Sequence, residues 1–220
     1  MYNIYTPVTS QRGLLSKNTM AAFIFCFLLG FSPSDAQIVE KKFNDIIVGC
    51  ERCHGTQGNS TIHENCPKLA GQNVNYLMKQ MQDFQPNMQH GRDNPIMNSL
   101  IVALSEKERI KIANYYANLL GTIDTAQANL LSLGQKIYRG GDVKGVPACL
   151  ACHGPAGLGN PPAGFPRLSG QHARYIAAQL KAFRDGKRNN DKHQMMPIIS
   201  KKMDDTEIIA VSNYISGLYS

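Results

Sequence analysis

The feature that most constrains this chain is that it matches itself. Shifted by 99 positions, with no gap, Cys50, Cys53 and His54 fall on Cys149, Cys152 and His153. Pro67, Leu69, Gly71 and Gln72 fall on Pro166, Leu168, Gly170 and Gln171, and Tyr76, Gln80 and Phe84 on Tyr175, Gln179 and Phe183. Met97 falls on Met196, and Glu108 on Glu207. Chance does not place so many identities at one offset, so the chain holds two copies of one unit. The expected domains are residues 37–121 and 129–220, joined by a linker at 122–128 (TIDTAQA). Each unit has fewer than about 100 residues, which leaves only a small core of its own. Such a unit is expected to need an internal filler or a covalent staple.

The fold class expected is all-α. No stretch alternates apolar and polar residues in the manner of a strand. Asn73–Gln85 and His172–Asp185 are runs of helix formers, stopped by Pro86 and Gly186. The last helix of each unit opens on a capping box, Ser105 with Glu108 and Asp204 with Glu207. Ile112, Tyr116 and Leu119 then repeat at helical spacing. Leu130, Ile137 and Tyr138 predict a helix ahead of the second Cys pair, with a less regular counterpart around Ile38–Ile47. The stretches from each Cys pair to Pro67 or Pro166 are rich in Gly, Pro and polar residues and read as loops wrapped around something.

Residues 1–36 read as a secretory signal. Arg12 and Lys17 precede the apolar run Met20–Phe31, and Ser34-Asp35-Ala36 offers small residues for cleavage after about Ala36. The run is short of the roughly 20 residues of a spanning helix, although an uncleaved anchor is the alternative. Beyond it the charge is +6, with nine basic and eight acidic residues in 37–121 against twelve and seven in 122–220. There is no Lys/Arg cluster interleaved with aromatics, so no nucleic-acid partner is expected.

Six Cys are present, with Cys26 in the signal. Paired Cys in an exported chain ordinarily mean disulfides. Here each pair is followed at once by His, as Cys50-Glu51-Arg52-Cys53-His54 and Cys149-Leu150-Ala151-Cys152-His153. C-x-x-C-H is the attachment signature of c-type haem. Thiols one helical turn apart reach the two vinyl groups on one porphyrin edge, and the His behind them turns under the ring to the iron. A redox-active C-x-x-C does not need that His, and a zinc site would need a second ligand pair in each unit. Two covalently bound haem c groups are therefore expected. Cys66 is left over, opposite Phe165, and reads as a buried structural thiol.

The sixth iron ligand must come from elsewhere. Met97 lies 43 residues after His54, and Met196 lies 43 after His153. Met195 has Ile96 as its repeat partner, and His63, His90, His172 and His193 have non-His partners. The repeat thus selects Met97 and Met196, soft thioethers suited to haem iron. Both lie eight positions ahead of the cap of the last helix, and Pro197 is expected to stiffen the loop at Met196. With both axial positions filled, no small-molecule substrate can reach either iron, and no enzymatic activity is expected. Tyr and Phe of the helices read as pocket walls, and Arg167 and Arg174 as carboxylate partners or solvated charges.

The repeated C-x-x-C-H, the P-x-L-x-G-Q stretch, the helix carrying Tyr, Gln and Phe, and the late Met resemble the dihaem cytochrome c4 family over nearly all of residues 37–220. The resemblance implies two tandem class I cytochrome c domains related by a pseudo-two-fold, both haems His/Met ligated. It implies a periplasmic electron carrier. The donor is then a quinol–cytochrome c reductase or a dehydrogenase, and the acceptor a terminal oxidase or other respiratory partner. Peripheral association with the membrane is compatible with that role. Two alternatives are a cytochrome subunit of a flavocytochrome-type dehydrogenase and a dihaem peroxidase. The peroxidase needs one haem with an open distal position, which equal His-to-Met spacings do not suggest.

Overall fold

The computed structural model describes residues 33–220 apart from positions 62, 87, 89, 90, 192 and 220, with side chains from residue 40 onward except 41. The expected signal, residues 1–36, lies outside the described residues except for the backbone of 33–36. The chain divides into two compact units, residues 1–45 and 46–220. The first is described only where it begins helix α1. The second contains both repeat motifs.

The described residues are helical, with no strand beyond one isolated bridge between Asn160 and Phe165. In the first half α1 spans Pro33–His54, α2 Val74–Asp83, α3 Pro95–Val102 and α4 Glu106–Ala117. In the second, α5 spans Ala128–Gly140, α6 Leu150–His153, α7 Ala173–Arg184, α8 Met195–Ser200 and α9 Asp205–Ser216. Both expected capping boxes form. Ser105 accepts from the Glu108 amide and Asp204 from the Glu207 amide, while each Glu side chain reaches back to the cap's own N–H. The helices α2 and α7 start one residue later than the sequence suggests, because Asn73 and His172 are N-cap residues with ψ of 131° and 127°, outside the helical region. No described helix is long and apolar enough to cross a membrane.

The core of the second half is built from Ile137 and Tyr138 of α5, Ile176 and Leu180 of α7, and Ile208, Val211 and Ile215 of α9. The helices α5 and α9 touch where Gly134 sits. A Cβ there would fall 2.2 Å from the Ala210 carbonyl oxygen and 2.7 Å from Tyr214 Cβ, so only glycine permits the crossing. In the first half α2 packs on α4, burying Leu77, Met81, Ile112, Ala113 and Tyr116.

The two halves meet along a seam that the P-x-L-x-G-Q stretches make reciprocally. The Gln72 amide donates to the Arg167 carbonyl at 2.8 Å and accepts from the Arg167 N–H at 2.8 Å. Gln171 does the same to Lys68, at 2.9 and 2.8 Å. Lys68 and Arg167 occupy the same position of the repeat, so the two Gln exchange partners about a pseudo-two-fold. Both Gln are buried, so neither amide has water to fall back on. The linker is tied into the seam by Asp124, which pairs with Lys68 Nζ at 2.5 Å and accepts from His172 Nδ1 at 2.9 Å.

Candidate functional site

In each half the C-x-x-C-H motif ends a helix, although the helix is reached differently. In the first half α1 runs 22 residues without a break into His54. In the second, α5 ends at Gly140, a loop follows, and the motif sits on the short α6. The geometry then becomes the same. The Gly55 N–H bonds to the Glu51 carbonyl and the Gly154 N–H to Leu150, each at 2.8–2.9 Å. The chain turns at Gly58 or Gly157, both with φ +71°, and the carbonyl of that glycine accepts from Leu69 or Leu168. This loop returns Pro67 and Pro166 beneath the histidines. His54 Nδ1 lies 2.8 Å from the Pro67 oxygen, and His153 Nδ1 3.1 Å from the Pro166 oxygen.

A carbonyl only accepts, so each Nδ1 carries the proton and each Nε2 keeps its lone pair. Burial drives the pKa of both imidazoles below the ordinary value, against the opposing pull of the proline carbonyls. Each His is thus a neutral, oriented donor with Nε2 available to a metal. Burial also pushes the Cys50 thiol up and the Cys149 thiol up to about 11. Burial of Cys50 and Cys149 thus disfavours the charged thiolate at those two positions. It costs a thioether nothing, since a thioether carries no charge. The described residues also contain no other cluster of His, Cys, Asp and Glu fit for a metal ion. The residues present therefore fit a covalently held haem with one nitrogen ligand, twice.

Both expected Met ligands are half-buried, and neither is in a loop. Met97 lies in the first turn of α3, where Pro95 opens the helix and the Asn94 side chain accepts from the Met97 N–H at 3.0 Å. Met196 lies in the first turn of α8, with its N–H bonded to Asp191 Oδ2 at 2.7 Å. Proline is tolerated in these first turns because the amide it lacks has no helical acceptor. In the second half Met196, Cys149 and Leu168 pack on one core cluster, which brings the expected ligand and the expected attachment residue of that half to the same apolar face.

Three sequence expectations are corrected. Cys66 is not buried: it is half-exposed beside Cys53, and its thiol is pushed up by partial burial first and by Cys53 second. It lines a cleft of about 400 Å³ with His63, Glu64, Asn65 and Arg174. The repeated Tyr and Phe turn to the seam. Tyr76 accepts from Arg188 at 3.2 Å and Tyr175 lies 3.5 Å from Arg92, while Phe84 and Phe183 lie beneath the guanidiniums of Arg92 and Arg188. Arg167 is half-buried, serving the seam through its backbone while its guanidinium reaches Ser169, whereas exposed Arg174 fits the solvated reading. The sequence reading missed the two proline carbonyls and the seam Gln residues, although the repeat had marked all four.

A family model described as "Cytochrome c" matches residues 131–218. The chain is 43% identical over 178 residues to the cytochrome c4 of Azotobacter vinelandii, covering 77% of this chain and 84% of that one. It is 35% identical over 183 residues to the "Thiosulfate dehydrogenase electron acceptor" of Stutzerimonas stutzeri strain A1501, covering 80% of this chain and 81% of the relative. The crystal structure of reduced recombinant cytochrome c4 from Pseudomonas stutzeri superposes with a TM-score of 0.76 at 41% identity, covering 82% of this chain and 98% of that one. Helices alone, a doubled C-x-x-C-H site and likeness across most of both chains place this protein in the cytochrome c4 family of electron-transfer proteins, with two covalently bound haem c groups.

Proposed function

We propose that the chain is an exported electron carrier with two equivalent haem sites. Cys50 and Cys53 hold one haem as thioethers, and Cys149 and Cys152 the other. His54 with Met97, and His153 with Met196, are the axial ligands. The domains are 37–121 and 129–220, joined by 122–128. The observation that carries this reading is the repeated geometry of a pair of one-turn-spaced Cys ahead of a His whose Nδ1 is pinned to a proline carbonyl. The haem supplies reversible one-electron exchange at its iron. The protein orients the imidazole through the proline carbonyl, shields it from water and holds each Met on a capped helix turn, so that little need move when the charge changes. Filling both axial positions leaves no substrate site, which favours outer-sphere transfer over peroxidase chemistry.

Export to the periplasm rests on the signal-like residues 1–36. The acceptor is a terminal oxidase or another respiratory partner, and the donor a quinol–cytochrome c reductase or a dehydrogenase. Similarity to a protein named for accepting electrons from thiosulfate dehydrogenase supports a dehydrogenase as donor. It also supports the second reading, a carrier bound to such an enzyme as a subunit. Purification from the native host separates the two: a co-eluting dehydrogenase indicates the subunit. For the sites, the reduced and denatured chain is expected to retain about two haems in a pyridine-haem assay. Met97→Ala and Met196→Ala are each expected to remove half of the Met-to-iron charge-transfer absorption. One haem per chain, or loss of the band in Met195→Ala instead, would sink the assignment.

A further inference from the structure

Two guanidiniums lie at the seam, bridged by two amide oxygens. Gln80 Oε1 accepts from Arg92 at 3.0 Å and from Arg188 at 3.1 Å. Gln179 Oε1 accepts from the same two residues, at 3.0 and 2.9 Å. Gln80 and Gln179 are repeat partners, so the arrangement obeys the pseudo-two-fold. Each Arg lies over the Phe ring of its own half, at 4.5 Å for Arg92 on Phe84 and 4.3 Å for Arg188 on Phe183. Each also reaches the Tyr of the other half. The 99-residue offset pairs Arg92 with Asp191, so this equivalence appears only in three dimensions.

The charge at this point is one-sided. Among the described residues neither Arg is bonded to a carboxylate. The nearest acid, Asp83, is taken up by Lys79 at 2.5 Å and by the Asn190 amide at 2.6 Å. Arg188 is 8% exposed. Burial pushes the Tyr76 phenol up, yet Arg188, Arg92 and Lys79 together bring it below its ordinary value. Arg92 is half-buried beside Arg188, and two like charges sharing acceptors at such a site repel and are screened less than exposed charges. Such a pair needs negative charge close by, which the carboxylates of the haems can supply.

We propose that Arg92 and Arg188 form one dication at the seam, shared by both halves, that raises the reduction potential of both haems together. Reduction adds an electron to each site, and a fixed cation stabilises the ferrous form. Each guanidinium bonds to the α2 or α7 helix of both halves, so its charge is placed for both sites. Haem carboxylates at the pair leave the sign unchanged, because losing a guanidinium leaves them uncompensated. The inference rests on the two-haem reading above.

The test is a redox titration of the intact two-haem protein that resolves the two sites, with haem content measured first. Fewer than two haems in the parent protein would count against the reading of the sites, not against the dication. Arg188→Gln and Arg92→Gln are each expected to lower both midpoints, by about tenfold in the ferrous-to-ferric ratio at fixed potential, which is about 59 mV for one electron. Arg188→Lys, which keeps the charge, is expected to recover most of the shift. Tyr76→Phe loosens the same network without removing charge and is expected to leave both midpoints in place. Unchanged potentials in the Gln variants, a shift confined to one haem, or a Tyr76→Phe shift as large as that of Arg188→Gln would each overturn the proposal. If the Gln variants do not fold, the Lys and Phe variants decide: potentials that fall in both show that hydrogen bonding, not charge, is at work.

Discussion

The two halves reach the same site by different routes. In the first, one unbroken helix delivers the Cys pair and His54. In the second, the chain leaves α5 at Gly140, turns through a loop and forms only four helical residues before the turn at Gly154. The side chain that backs the first loop glycine also differs. Tyr116 from the last helix lies on Gly58, whereas Tyr138 from α5 lies beside Gly157 and donates to the Gly154 carbonyl at 2.6 Å. What the halves share are the atoms that meet the histidine and the seam: the proline carbonyl, the loop glycine and the seam Gln. Apart from the capping Glu108 and Glu207, identity in the repeat here marks groups that meet the histidine or the other half. Where only packing is required, the halves have diverged.

The largest expected contrast lies at the loop glycines. A Cβ on Gly58 would fall 2.7 Å from the Tyr116 ring, whereas the nearest atom to one on Gly157 is the Ser169 amide nitrogen at 3.1 Å. Both substitutions carry the left-handed strain of about 1–2 kcal/mol, and only Gly58→Ala adds an overpacking cost of about 1–3 kcal/mol. Chemical denaturation should show Gly58→Ala as clearly the more damaging. Equal losses would mean that the Tyr116 ring moves aside.

The seam Gln residues should behave alike despite their different surroundings. Gln72→Ala and Gln171→Ala each remove two bonds across the seam, and each is expected to cost about 1–3 kcal/mol, read as a lower denaturant midpoint. A marked inequality would break the two-fold equivalence and point to Asp124, which braces the Lys68 side of the seam only.

How far the sequence disclosed this follows from the range of the interaction. The C-x-x-C-H motifs and the capping boxes were legible because their residues act within a turn or at a spacing the repeat copies. The helix holding Met97, with Asn94 as its cap and Pro95 behind it, was not read from the sequence, and the proline after Met196 suggested a loop. The roles of Tyr76, Gln80 and Phe84 were not legible. Repetition shows that a residue has a fixed task, but its partner here lies in the other half. The Arg pair was hidden because the two Arg sit at different places in loops of equal length, eight residues after Phe84 and five after Phe183, so the offset that reveals everything else misaligns it.

The smallest effect expected concerns the caps of the last helices. In the second half the cap is a carboxylate, and hydrogen bonds from Lys144, then from the Glu207 amide, hold Asp204 below its ordinary value. Its contribution is complete above the ordinary carboxylate range near pH 4 and is lost as pH falls through the lower folded value. The Ser105 hydroxyl does not titrate there. Amide exchange on acidification should therefore quicken at Glu207 before Glu108. Simultaneous loss would show that the Glu side chains, present in both boxes, control the fraying.

The seam Gln residues carry a consequence for ancestry. Each reads only backbone groups of the position that its own half also presents, Lys68 answering to Arg167. Such a contact is isologous: a single unit holds both the amide and the strip of backbone the amide recognises. A lone precursor could thus have met its own copy face to face before any duplication joined the two in one gene. Fusion then required no new surface, only a tether long enough to reach between the ends.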